Sequence, residues 1–387
     1  MLRTMRHCFI LLPVSFGGVQ GAWAQLADPL TFSVGYTRQH EDNLFRAPHG
    51  SAQSEQIAVT SVGLGISKAY SLQQIDLQLG LVDYRYQSFA NLSFAARNYN
   101  AAWRWSITPW LHGNLSDQRA ETVNSFADSP GSTARNRRTE NNRKLDAEYE
   151  LDSTWRLQAA VSSSELSNEL PLASQSNSRS NATEVALRHL WTSGSRLGYS
   201  FRRTDGTDTP AGVAAIAEQF ARTDQRVDAT WAVSGLTSVD ASIGRLSRSS
   251  GLTPQRDFSG TDASAGWTWA ISGKSALALN WTRQLASYPA ANIVSTRSER
   301  FSIRPSWQFS PKTTLSLRRD VARVVYLDGA GIPQRRDRSG EMVLSLDFRP
   351  DARLALSASL QGSRRSSNLA ALGYRSQVAS VSAQLNF

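Results

Sequence analysis

The sequence predicts an all-β protein that forms one closed, antiparallel, up-and-down barrel in a membrane. Three observations predict it: strict alternation in the last strand, a secretory leader at the N terminus, and a regular exchange of short and long connections. Together they favour about eighteen strands, with sixteen as the alternative.

The N-terminal segment has the regions of a secretory signal. Two arginines precede an apolar stretch from Cys8 to Val19, and Ala22-Trp23-Ala24 has the small-residue pattern of a cleavage site. We therefore assign residues 1–24 to a signal peptide and residues 25–387 to an outer-membrane barrel. Because the single cysteine lies in the signal, disulfides and thiolate sites are excluded from the mature chain.

The C-terminal residues alternate between apolar and polar side chains up to Phe387. Such a strand resembles the assembly signal of bacterial outer-membrane barrels. We expect the barrel-assembly machinery to bind it, and the apolar side to face outer-membrane lipid and lipopolysaccharide.

No run of eighteen apolar residues follows the signal, which excludes a helical membrane protein. Alternating blocks instead recur along the whole chain, and an even number of them returns both termini to one side. We place strands near residues 30–40, 55–67, 72–86, 93–108, 110–121, 139–151, 154–167, 179–192, 195–205, 219–233, 236–248, 257–271, 275–287, 295–309, 313–325, 335–349, 353–365 and 373–387.

The tryptophans indicate which surface meets the membrane boundary. All ten in the mature chain lie within about seven residues of a proposed short turn. Indole prefers a membrane interface, where its ring is buried and its N–H stays wet. We therefore expect an aromatic girdle at the turn end of the barrel.

Charged residues on the predicted inward face are the pore-lining candidates. Eighteen strands leave a lumen too wide for side chains to fill, so an aqueous channel is expected. Of 42 basic residues only four are lysines, and loss of the signal lowers the formal charge from +10 to about +8. The arginines either attract anions or pair with lumen acids and lipopolysaccharide phosphates. The candidates are Arg104, Arg156, Arg188, Arg196, Arg202, Arg226, Arg300, Arg304, Arg318, Arg353, Asp76, Glu148, Asp228 and Asp347.

The longest predicted outer loop, residues 122–138, carries Arg135, Arg137 and Arg138. One hypothesis is that this loop folds inward as a basic constriction. The other is a surface loop that faces lipopolysaccharide.

Nothing in the chain indicates catalysis. We find no Ser/His/acid grouping on neighbouring strands, and His112 is expected to stand alone beside Trp110. The sequence therefore predicts no enzyme activity, no cofactor, no metal site and no nucleic-acid partner.

A short motif follows the first strand: Asp42, Asn43, Leu44, Phe45 and Arg46. This opening resembles that of the EpsL-type exopolysaccharide-operon outer-membrane proteins, in the β-barrel porin 2 group. The resemblance implies a role in exopolysaccharide export or display, with polysaccharide and periplasmic export proteins as partners. The alternative interpretation is that Asp42 and Asn43 simply begin a loop and that their side chains cap its turn.

Three further functions stay open besides an exopolysaccharide channel. One is an enzyme that modifies lipid or glycan, which would lose activity on mutation of one Ser or His. Another is a general diffusion porin for small, anionic solutes. The third is a structural barrel of a secretion complex that conducts nothing.

Overall fold

The computed structural model describes residues 30–48, 50–129, 131–170, 176–209, 217–251, 253–290 and 293–387. The predicted signal peptide lies outside these residues. None of the helices found there is long and apolar enough to cross a membrane.

Eighteen strands make up the fold, and the predicted strands agree with them to within a few residues. The eighteen-strand barrel is therefore confirmed, and the alternative of sixteen is not. The strands are β1 (Leu30–Glu41), β2 (Glu55–Tyr70), β3 (Gln73–Tyr86), β4 (Phe94–Thr108), β5 (Leu111–Val123), β6 (Arg137–Glu150), β7 (Trp155–Asn168), β8 (Asn177–Leu190), β9 (Arg196–Thr209), β10 (Glu218–Ser234), β11 (Thr237–Ser250), β12 (Phe258–Ala270), β13 (Ser275–Ala290), β14 (Ile293–Ser310), β15 (Thr313–Leu327), β16 (Pro333–Phe348), β17 (Leu354–Ser367) and β18 (Tyr374–Asn386).

Each strand pairs with its sequence neighbours in antiparallel fashion, and β1 pairs with β18 to close the sheet. At this seam Val34 lies opposite Leu385. The backbones of Phe32 and Phe387 exchange two hydrogen bonds, of 3.1 and 2.8 Å. Closure leaves no unpaired sheet edge.

The outer surface is an apolar belt. On β16, Met342, Leu344, Leu346 and Phe348 are all exposed on one face. A water-soluble protein does not expose such stripes on strand after strand, whereas a transmembrane barrel must. Exposed tryptophans lie close to the short turns, where the girdle was expected: Trp103, Trp110, Trp155, Trp191, Trp231, Trp269, Trp281 and Trp307.

Short turns join the strands at one end, the turn end, and most connections at the other end, the loop end, are longer. We name three of the latter L1 (residues 42–54), L2 (87–93) and L3 (124–136). The main buried apolar cluster lies at the loop end, between L1, L2, L3 and the inward faces of β2 to β4.

Candidate functional site at the loop end of the lumen

L3 turns into the barrel directly after β5. The Ser125 hydroxyl accepts a hydrogen bond of 3.2 Å from the Ala127 amide. This contact caps a single 3₁₀ turn, Phe126–Asp128. The turn carries an apolar side chain and a carboxylate into the lumen together.

Asp128 binds the wall on the far side of the mouth. It lies 2.9 Å from Nη2 of Arg335 on β16 and 2.8 Å from Nη1 of Arg365 on β17. Arg365 also donates to the Ala127 carbonyl, and through Nε to the Leu372 carbonyl at 2.7 Å. L3 is thus a strut that spans the sector of β1 to β4 and β18.

The two guanidinium groups fix the charge of the strut. Burial alone would raise the pKa of Asp128, but the charges and hydrogen bonds of Arg365 and Arg335 outweigh it and hold the pKa below its usual value. Both arginine side chains are almost fully buried, at 4–6% exposure. An ionised carboxylate is therefore what holds them.

Aromatic packing fills the space beneath the strut. The Phe126 ring meets Phe45 of L1 edge-on at 4.9 Å between centroids, and Phe45 meets Phe89 of L2 at 4.8 Å. These rings pack against inward side chains of β2 to β4. The buried members of this aromatic cluster are Leu44, Phe45, Ile57, Val59, Val82, Tyr86, Leu92, Phe94, Ala96, Val123 and Phe126.

The motif at residues 42–46 is what turns L1 inward. Asp42 accepts a hydrogen bond of 2.6 Å from the Gln377 amide of β18. Asn43 donates to the carbonyls of Ala47 and Arg375, both at 2.8 Å. These bonds latch L1 to the last strand.

The other three motif residues make buried contacts on the inner side of L1. Leu44 and Phe45 belong to the aromatic cluster. Arg46, with a positive φ of 54°, pairs with the buried Glu41 and donates 2.8 Å to the Ser376 hydroxyl. Every motif residue therefore has a structural contact.

The structure places the predicted constriction arginines at the base of L3, and the strut itself is made by Phe126 to Asp128. Each of these arginines pairs with a carboxylate on its own strand, a neighbouring strand or a neighbouring loop. The pairs are Arg135 with Glu169 at 2.8 Å, Arg137 with Glu121 at 4.0 Å, and Arg138 with Glu140.

The residues that sequence reasoning missed are Asp128, Arg335 and Arg365. Both arginines fall on the inward alternation of their strands, so the pattern could have included them. Nothing in the pattern indicates that an aspartate of L3 reaches them, because that contact depends on how the loop bends.

Most predicted pore-lining arginines are paired with an acid on the same strand or one to two strands away. Six of the ten form ion pairs, which supports the reading in which arginines pair with lumen acids. These pairs are Arg104 with Asp76 (2.9 Å), Arg156 with Glu150 (3.0 Å), Arg188 with Glu148 (3.6 Å), Arg202 with Glu184 (3.4 Å), Arg226 with Asp262 (3.9 Å) and Arg318 with Asp320 (3.2 Å).

The remaining candidates form no ion pair with any residue that the structure describes. Arg300 and Arg304 share the inward face of β14, where Arg304 donates 3.2 Å to the Ser302 hydroxyl. Arg196 donates 3.0 Å to Thr230. Arg353 precedes β17 in a short turn, so its predicted place within the strand is corrected. Among the described residues, the acids Asp228 and Asp347 form no ion pair within 4.0 Å either.

A cleft of about 510 Å³ opens at the turn end between β3, β4, β5 and β6. In it the His112 Nε2 lies 3.6 Å from a Glu148 carboxylate oxygen. His112 therefore has an acidic neighbour and does not stand alone as expected. Within the described ranges, no group of three or more His, Asp or Glu could hold a metal ion.

Comparison with known proteins identifies the fold only through solved structures. No family model matches the chain, and no curated protein matches it. OpdK of Pseudomonas aeruginosa, solved with vanillate, has a TM-score of 0.53 at 8% identity, covering 92% of this chain and 99% of that one. The fold is that of the outer-membrane porins.

Two other structures agree with this. OccK2 (OpdF) of P. aeruginosa, solved with glucuronate, has a TM-score of 0.52 at 10% identity and covers 93% and 98% of the two chains. The siderophore receptor PirA of Acinetobacter baumannii has a TM-score of 0.50 at 7% identity, with coverage of 94% and 81%. With its apolar belt, this barrel lies in a bacterial outer membrane, and its loop end is extracellular.

Proposed function

We propose that the barrel is a diffusion channel for small anionic solutes. The observation that carries this is the pair Arg300 and Arg304 on β14. Their side chains face the lumen without an ion pair among the described residues, and β14 lies outside the sector that the strut spans.

The surroundings of these two arginines favour an anion. Thr282 and Ala322 lie opposite Arg300, and Ala278 lies opposite Arg304. All three are uncharged, so no carboxylate lies directly opposite either guanidinium group, and the diagonal carboxylate of Asp320, opposite Ser302, pairs with Arg318 at 3.2 Å. Such groups bind a carboxylate or phosphate as a rigid fork. They are spaced by four residues along the strand, about 13 Å, and would pass an anion from one to the next.

The solved structures support this choice of solute. OpdK and OccK2 were solved with vanillate and glucuronate, and both molecules carry a carboxylate. A small carboxylate is accordingly the first solute to test.

The EpsL-type resemblance stays a prediction. The similar solved structures are porins and siderophore receptors. The strut and the aromatic cluster occupy part of the mouth that a polymer would have to pass. The small-solute channel therefore fits the described structure better than exopolysaccharide export does.

Planar-bilayer recording tests the proposal. Across a KCl gradient, the wild-type barrel should conduct and its reversal potential should show anion preference. Arg300→Gln with Arg304→Gln should lower the anion-to-cation permeability ratio about twofold or more. Arg245→Gln, an exposed arginine on the outer face of β11, is the matched control and should change nothing. A barrel that does not conduct, or that prefers cations, would contradict the proposal.

A further inference from the structure

The outer face of β16 to β18 carries a group of arginines at the extracellular end. Arg338, Arg364 and Arg375 are all exposed and point away from the lumen. On β16 the apolar stripe ends at Met342. The next two outward positions toward the extracellular end are Gly340 and Arg338. These arginines, the outer arginine patch, therefore lie just above the hydrocarbon belt, at the depth of lipid headgroups.

The register brings like charges together in this patch. Arg364 lies directly opposite Arg375, and Arg338 lies directly opposite Arg323 of β15. Directly opposed like charges destabilise a sheet. Throughout the described part of the chain, the three patch residues form no ion pair, and Arg323, which has Glu299 opposite it on β14, forms none either.

The other wall of the barrel is built differently. There, three outward arginines are each paired with an outward aspartate. The pairs are Arg85 with Asp83 at 2.7 Å, Arg143 with Asp117 at 3.1 Å, and Arg203 with Asp205 at 3.2 Å. The repulsion on β16 to β18 is therefore a local feature and not a general property of the rim.

We propose that the outer arginine patch is a binding site for a phosphorylated glycolipid of the outer leaflet. Guanidinium groups bind phosphate oxygens in pairs, and a phosphate between Arg364 and Arg375 would replace their repulsion by attraction. Arg338 is the diagonal neighbour of Arg364, at about 7–8 Å. This spacing suits a second phosphate on the same headgroup.

The surface below the patch suits the acyl chains of the same molecule. Met342, Leu360 and Val381 are exposed on the outer face of the three strands, with 46, 61 and 65% of their surface accessible. A lipid whose phosphates bind the patch would lay its chains along this stripe. The site thus recognises a headgroup and a hydrocarbon tail together, which a free anion does not supply.

Binding of diphosphorylated lipid A to the purified full-length barrel in neutral detergent tests the proposal. Native mass spectrometry would follow the complex. The test variant combines Arg338→Gln, Arg364→Gln and Arg375→Gln. The matched control combines Arg85→Gln, Arg143→Gln and Arg203→Gln, which removes equal charge from the other wall.

We expect the patch variant to lose about tenfold or more in affinity and the control to bind like wild type. Without lipid, the patch variant should resist urea at least as well as wild type, because repulsion is removed; this also shows that it folds. Equal binding by patch variant and wild type would overturn the proposal. So would equal binding of dephosphorylated lipid A or of phosphatidylglycerol, or displacement of lipid A by millimolar inorganic phosphate.

Discussion

Asp128 in L3 accepts a hydrogen bond of 2.8 Å from Arg365 in β17, although 237 residues separate the two in the chain. We expect Asp128→Ala to release the strut, because hydrogen bonds to charged groups contribute about 1.5–3 kcal/mol each. Single-channel conductance should rise, and trypsin should cleave L3 faster. Asp83→Ala on the outer rim is the control. Unchanged conductance and cleavage would show that the strut does not limit the pore.

The same carboxylate sets a pH dependence. The pKa of Asp128 is lower in the folded barrel than in the unfolded chain. The stabilisation that its charge gives to the strut is therefore complete when the pH is above the unfolded pKa, and it is lost as the pH falls through the folded pKa. Conductance should stay constant from about pH 8 to pH 5 and rise only below about pH 4. Asp128→Ala should remove the acid step. A step between pH 5 and 7 would assign the gate to another group.

Phe45 tests the aromatic cluster separately from the charges. It is 8% exposed and lies between Phe89 and Phe126. Replacement of Phe45 by alanine should reduce the free energy that packing contributes to this cluster by about 3 kcal/mol. Amide hydrogen exchange in L1 should accelerate. Phe348→Ala, on the lipid-facing side of β16, should leave L1 protected, and equal exchange in both variants would argue against the cluster.

Phe387 is predicted to act in assembly more than in stability. Its side chain is 65% exposed, and only its backbone bonds Phe32. Phe387→Ser should therefore lower the amount of barrel assembled in cells while the urea midpoint of barrel refolded in detergent changes little. Leu385→Ser, which removes an apolar side chain from the same face of β18, is the control. A similar fall in the urea midpoint of the refolded protein would show instead that Phe387 has a structural role.

Local periodicity determines how much of this could be predicted. Side chains alternate faces along every strand, so the eighteen strands and the outward stripe of Met342 to Phe348 follow from sequence. Partners on neighbouring strands, such as Arg104 and Asp76, follow once the register is known. The contact between Asp128 and Arg365 does not, since it joins a non-repetitive loop to a strand across the mouth. The contact between His112 and Glu148, like that between Arg104 and Asp76, follows from the register of neighbouring strands.

The latch between L1 and β18 implies an order of folding. Asp42 and Asn43 bond to Gln377 and Arg375, and these partners come within reach only when the first and last strands pair. Phe45 can then take its place, and Phe126 packs on Phe45. The bonds between L1 and β18 therefore need β1 and β18 to be paired, so a sheet that is still open lacks the contacts that hold L1 across the mouth.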